Sequence, residues 1–373
     1  MAARPVDHDG DSFASDVESA ALIVTCGPGG VGKTTTAAAL GVAAARAGRR
    51  VVVVTVDPAR RLADALGLEA GAAADAPHLV EGVPGVETGE LWALMLDAAS
   101  TFDRLVHEQT GSSKQAEAIL QNPVYRAISG SLAGAQEYMA IERLHQLYTS
   151  GEWDLVIVDT PPSRHAIDLL EAPDRLIGFL GHPVYRTLTA GQRAFARVTN
   201  AAASMFLWAV KRLAGPQIVE DTIEFFRSLA NIEPGLRTRA EEVSTLLRSD
   251  AATFVVVSSP RAEAIGEAEH LIGALRDGSF PFAGVVVNLI HPLPIELSAA
   301  DRAELEDLGP GPLADHVAWH DELLTLATAE RNELAVLEDL AEDVTVVELP
   351  LLPVDVHDVD GLVGLAERLV GGK

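Results

Sequence analysis

The chain has one cysteine, Cys26, among 373 residues. One thiol cannot close an intrachain disulfide, supply a Cys-pair zinc site or hold a four-Cys cluster. Lysine is nearly as scarce: Lys33, Lys114, Lys211 and Lys373 are the only four, so most positive charge is arginine. Acidic residues outnumber basic ones 54 to 28, a formal net charge of -26, and no basic patch stands out. That balance argues against nucleic acid and anionic membranes as partners, because both are bound by neutralising phosphates with Lys and Arg. Long apolar runs are missing too. The most apolar helical stretch, Ala201 to Val210, runs into Lys211 and Arg212 and is far short of the ~20 residues that span a bilayer. The opening MAARPVDHDGDSFASDVESA lacks the apolar core of a signal peptide. It is acidic and polar, so residues 1–19 are expected to be a disordered lead-in to a folded unit over 20–373. The expectation is a soluble cytoplasmic protein with no stable membrane insertion.

What is present is a globular composition, 48% hydrophobic, with a regular pattern of short apolar runs. They are Ala21–Cys26, Arg50–Val56, Leu91–Leu96, Asp154–Val158, Thr253–Val257, Ala283–Val287 and Val344–Leu349. Val- and Ile-rich runs without alternation suit strands buried on both faces of a parallel sheet. The helical patterns between them supply the crossovers, which predicts an α/β, doubly wound, mostly parallel sheet. Residues at about 98–150 and 165–250 read as helices with no strand between them, and are expected to form a helical subdomain inserted beside the sheet. A further helical stretch covers about 294–340.

Gly27-Pro28-Gly29-Gly30-Val31-Gly32-Lys33-Thr34 matches G-x-x-x-x-G-K-[ST] between the strand LIVTC and a helix beginning TTTAAALG. The glycines let backbone N–H groups wrap the phosphates at a helix N-terminus. Gly27, Gly29, Gly30, Val31, Gly32, Lys33, Thr34 and Thr35 are therefore the expected ATP-binding set of a P-loop NTPase. Lys33 would reach the β- and γ-phosphates and the Thr34 hydroxyl would ligate Mg²⁺. Asp57 ends the second buried strand in VVVVTVDPARRLADALG, a place to orient the attacking water or the metal's water shell. It could also cap the helix that Asp-Pro-Ala begins. Asp159 ends the strand of LVIVDTPPS and fits the position that holds Mg²⁺ through water.

The GPGGVGKTT loop, VDPARRLADALG and DTPPSRHAIDLL together resemble the arsenite-transporter and tail-anchored-protein-targeting ATPases. These belong to the deviant-Walker group that includes MinD and ParA. The likeness extends through VVVNLIHP and VVELPLLPVDVHDVDGL, and within the family it is greatest to the actinobacterial anion-transporter ATPase paralogues. The resemblance implies a MgATP-driven dimer with facing phosphate loops. Asp57 would position the hydrolytic water, and Asp159 to His165 would report the nucleotide state to the helical subdomain. Asn288 would hydrogen-bond adenine, and the loop Pro350, Leu351, Leu352 and Pro353 would pack against it. The matching region for 176–230 lines a groove for an apolar helical client protein; here those residues either line such a groove or pack the subdomain's own core. Glu137 and His165 also match family positions, and each reads equally well as an ordinary helix residue.

The chain departs from the family at informative places. The signature Lys of the loop is Pro28. That Lys crosses the dimer interface to the partner's phosphates, so its loss should weaken hydrolysis in a homodimer. Either a heterodimer with a paralogue that keeps the Lys, or Arg60 or Arg61, would compensate; those arginines also fit a solvated helix face. The zinc-binding CxxC pair is absent, as are the thiolates that arsenite needs, so arsenite is not an expected ligand. The remaining alternative is a low-turnover, nucleotide-dependent binding or regulatory subunit.

Overall fold

A computed structural model describes residues 10–56, 61–66, 75–110, 113–122, 135–183, 185–186, 230, 232–307, 311–340 and 345–371. Its centre is an eight-stranded sheet. The strands are β1 (Leu22–Cys26), β2 (Arg50–Thr55), β3 (His78–Leu79), β4 (Glu90–Met95), β5 (Leu155–Asp159), β6 (Ala252–Ser258), β7 (Phe282–Ile290) and β8 (Thr345–Pro350). Their order is β3-β4-β2-β5-β1-β6-β7-β8, with β3 antiparallel at one edge and every other pairing parallel. The apolar runs lie on these strands; β3 has no such run and was not expected. It pairs His78 with Ala93 and Leu79 with Trp92.

Strand side chains alternate between two cores. Val51 and Val53 of β2 enter the one that holds helix α2 (Lys33–Arg46), whereas Val52 and Val54 enter the other. The first core also takes α3 (Arg61–Ala65) and α12 (Val359–Val370). The second takes α6 (Ala135–Thr149), α7 (Ser163–Gly181), α8 (Glu233–Leu247), α9 (Ala262–Asp277) and α11 (Pro312–Leu340). Helix α10 (Ala299–Asp307) precedes α11. Helices therefore cover both faces, as a parallel sheet requires.

A separate apolar cluster joins α4 (Ala98–Gln109), α5 (Ser113–Leu120), α6, α7 and α8 through Leu105, Ile119, Met139, Leu180 and Leu236. It is the core of a helical layer, and charged contacts fasten that layer to the segment before β3 and its helices to one another. The buried Asp75, beside β3, accepts from Arg104 and ion-pairs with Arg143 at 3.3 Å. Glu142, fully buried on α6, pairs with Arg239 of α8. No described helix is long and apolar enough to cross a membrane.

The disordered lead-in expected over 1–19 is corrected in part. Residues Gly10–Ser19 form helix α1, while residues 1–9 lie outside the described set. Phe13 and Val17 are one helical turn apart and both buried, with Phe13 against Gly284 of β7. The Arg49 guanidinium donates to the carbonyls of Glu18, Ala20 and Asp154, tying the helix's exit to the sheet. A two-residue apolar stripe was hidden by the polar composition around it.

Candidate nucleotide site

Strand β1 lies between β5 and β6, where chain connections diverge to opposite sides, and the loop after it opens over that crevice. Gly27 has φ 151°, and a Cβ there would overlap the Val257 carbonyl on β6, so only glycine can start the loop. Gly32 has φ 92°, and its Cβ would overlap Nδ2 of Asn288. Such close backbone approach is what a phosphate cradle requires. Lys33 begins α2 and is buried; its ammonium donates to the Pro28 carbonyl at 2.7 Å.

Asp159, 1% exposed at the end of β5, accepts from the Thr34 hydroxyl at 2.7 Å and from Thr55 at 3.1 Å, both on Oδ2. One carboxylate thus joins the phosphate loop, β2 and β5. Thr160 follows it and donates to the Thr25 carbonyl at 2.8 Å. A hydroxyl beside a buried carboxylate at the first turn of the P-loop helix is a donor set that fits a water-bearing Mg²⁺ ion. The cavity above has a volume of about 370 Å³ and is lined by loop residues Gly29, Gly30 and Gly32, by Lys33, Thr34 and Thr35, and by Asp64, Ala65, Thr160, Pro162, Val356 and His357. That is within the ~300–1,000 Å³ usual for small-ligand sites.

The sequence-derived set is brought together unevenly. Gly29, Gly30, Gly32, Lys33, Thr34 and Thr35 line the cavity, and Asp159 lies directly behind Thr34. Gly27 and Val31 are buried in the turn. Asn288 is buried beneath the loop and donates from Nδ2 to the Val31 carbonyl at 3.0 Å. Pro350, Leu351 and Pro353 are not among the described lining residues; Val356 and His357, farther along the same loop, are. Asp57 and Arg60 lie outside the described residues, as does 187–229 of the client segment. The side chains of Arg61 and His165 are outside them too. Glu137 is half-buried in the first turn of α6. Thr160 and Pro162 fall in the Asp159–His165 segment already singled out, whereas Asp64, Ala65, Val356 and His357 were missed. Asp64 and His357 stand within the quoted motifs VDPARRLADALG and VVELPLLPVDVHDVDGL, but nothing in their spacing marked them as facing the loop.

Burial pushes the Cys26 thiol up to about 12, an effect that Lys33 partly opposes. At the end of β1 this residue is a small buried group and not a nucleophile.

Comparison with known sequences settles the lineage. The model of the anion-transporting ATPase family matches residues 20–298. The chain belongs to that family. It is similar to the ATPase get3 of Aspergillus terreus, 26% identical over 99% of this chain and 98% of that protein. The ATPase GET3 of Malassezia globosa is 25% identical, covering 95% of this chain and 92% of its own. The corresponding ATPase GET3 of Chaetomium globosum is 24% identical with the same coverage. This member of the anion-transporting ATPase family is an ATP-binding, nucleotide-dependent ATPase.

Proposed function

We propose that this ATPase works as a cytoplasmic dimer that couples MgATP binding and hydrolysis to capture and release of an apolar helical client by its helical layer. The observation that carries the reading is the Thr34–Asp159 hydrogen bond, which joins the phosphate loop to the strand leading into α7. Lys33 neutralises the phosphates together with the loop N–H groups. When bound, Mg²⁺ supplies positive charge at the β- and γ-phosphate oxygens. Thr34, Asp159 and Asp57 would hold it, the two carboxylates through water. Asp57 aligns the attacking water. The Asn288 amide keeps an oxygen acceptor and a second N–H beyond its bond to Val31, a pairing suited to the adenine edge. The Pro350–Pro353 turn packs against the base.

Helix α7 begins four residues after Asp159 and contributes to both the sheet core and the helical-layer core. A shift of the Asp159 strand end on hydrolysis is therefore passed to the client-bearing layer. The direct test compares Asp57→Ala with Lys33→Ala. Asp57→Ala retains MgATP binding and loses turnover by roughly two orders of magnitude or more, whereas Lys33→Ala loses binding. Unchanged turnover in Asp57→Ala contradicts its assignment.

Pro28 favours a second reading. It is buried at the loop's second position and carries no cation. A heterodimer with a paralogue bearing Lys there would turn over ATP on mixing, while this chain alone would bind and release nucleotide with little hydrolysis.

A further inference from the structure

Helix α11 turns one stripe to the core, with Ala327, Leu334 and Leu337 buried at helical spacing. Glu330 lies in that same stripe, 7% exposed. A carboxylate in this place is costly unless its oxygens are hydrogen-bonded. Both oxygens go to one residue. Oε2 accepts the backbone N–H of His291 at 2.9 Å, and Oε1 lies 2.7 Å from His291 Nδ1.

His291 is the first residue beyond β7, three past Asn288. Between them the pairing register of β7 with β8 shifts, and Leu289 takes φ 68°. Left-handed backbone is rare for a bulky non-glycine residue and persists only where its surroundings impose it. At the start of this irregularity the Asn288 amide donates to the Val31 carbonyl beneath the phosphate loop at 3.0 Å. Ile290 accepts the Leu351 N–H at 2.7 Å, so the turn after β8 rests on the same short segment. Arg331, the next residue of α11, pairs with Glu348 of β8. Consecutive residues of one helix therefore grip the residue after β7 and Glu348 within β8, the two strands that carry the expected base-binding residues.

We infer that Glu330 is a positioning residue for the nucleotide base: by clamping His291 it holds the Asn288–Leu289 irregularity and aims the Asn288 amide. It acts through Asn288 and touches no nucleotide. The inference deepens the adenine assignment made above and rests on it.

The test measures MgADP and MgGDP affinity by calorimetry for wild type, Asn288→Ala, Glu330→Ala, Glu330→Gln and the Asn288→Ala/Glu330→Ala double variant. Asn288→Ala is expected to weaken ADP about tenfold and to narrow the ADP-over-GDP preference, as losing one paired polar contact does. Glu330→Ala should weaken ADP about fivefold, raise KM for ATP and leave kcat unchanged. Glu330→Gln keeps an acceptor for the His291 N–H and should stay within about twofold of wild type. In the Asn288→Ala background, Glu330→Ala should have no further effect. A wild-type affinity in Asn288→Ala overturns the adenine assignment and this inference with it. An affinity lost in Asn288→Ala but kept in Glu330→Ala, or lost independently in the double variant, overturns the positioning role alone. Should Glu330→Ala not fold, His291→Ala removes only the ring contact and is expected to weaken ADP about threefold; wild-type affinity there overturns the positioning role.

Discussion

Gly32→Ala tests the geometry of the loop because it meets two separable obstacles. Alanine at φ 92° carries a left-handed penalty of roughly 1–2 kcal/mol. Its Cβ also overlaps Nδ2 of Asn288, and relieving that needs the amide to withdraw by about an ångström. Withdrawal breaks the 3.0 Å bond from Asn288 to the Val31 carbonyl, a loss of about 1–3 kcal/mol at a buried site. Gly32→Ala should thus destabilise the protein by about 2–5 kcal/mol. Asn288→Ala alone loses the same bond. The double variant loses it once and has no overlap, so it should be more stable than the sum of the singles by about 1–3 kcal/mol. Urea unfolding without nucleotide measures this free of ligand linkage. Additivity within about 0.5 kcal/mol would refute the contact between Asn288 and the loop.

Arg239→Ala leaves the fully buried Glu142 without its cationic partner; because Arg239 is itself a quarter exposed, the expected loss in urea unfolding is about 2–3 kcal/mol. An unchanged midpoint would mean the pair does not hold α6 to α8. Phe13→Ala should loosen α1 and cost about 3–5 kcal/mol, with hydrogen exchange rising in 10–19; amides there that already exchange freely in wild type would restore the disordered reading. Cys26, its thiol pushed up to about 12 by burial, should resist alkylation near pH 8 in the native protein and react on unfolding. Full labelling of native protein within minutes would contradict its burial.

The sheet was legible because strands buried on both faces leave continuous Val- and Ile-rich runs such as VVVV at 51–54. Strand β3 was not, since two residues, His78 and Leu79, pair only through the neighbouring Trp92 and Ala93. Helix α1 was hidden for the opposite reason. Its Phe13 and Val17 form a stripe too sparse to outweigh the acidic residues around them, and the site that buries them belongs to β7, β8 and α12. The phosphate loop stood out because its residues are contiguous, and Gly27 and Gly32 each answer a local need, a positive φ and a close approach. The cavity's far wall did not stand out. Val356 and His357 line the same cavity as Lys33 and Thr34 across more than three hundred residues of sequence, and Glu330 is an acidic residue among many until its helix is packed. Periodicity reports what a segment buries; it does not report which distant turn lies opposite.

The most direct measurement of the central claim is the MgATP turnover rate of the purified protein against its own concentration, with Lys33→Ala as the blank. Turnover that needs Mg²⁺, rises per subunit with concentration and vanishes in Lys33→Ala is the predicted result, and places the active ATPase in a dimer of this chain despite Pro28. A flat rate no higher than the blank would contradict a self-sufficient enzyme and leave this chain the nucleotide-binding partner of another.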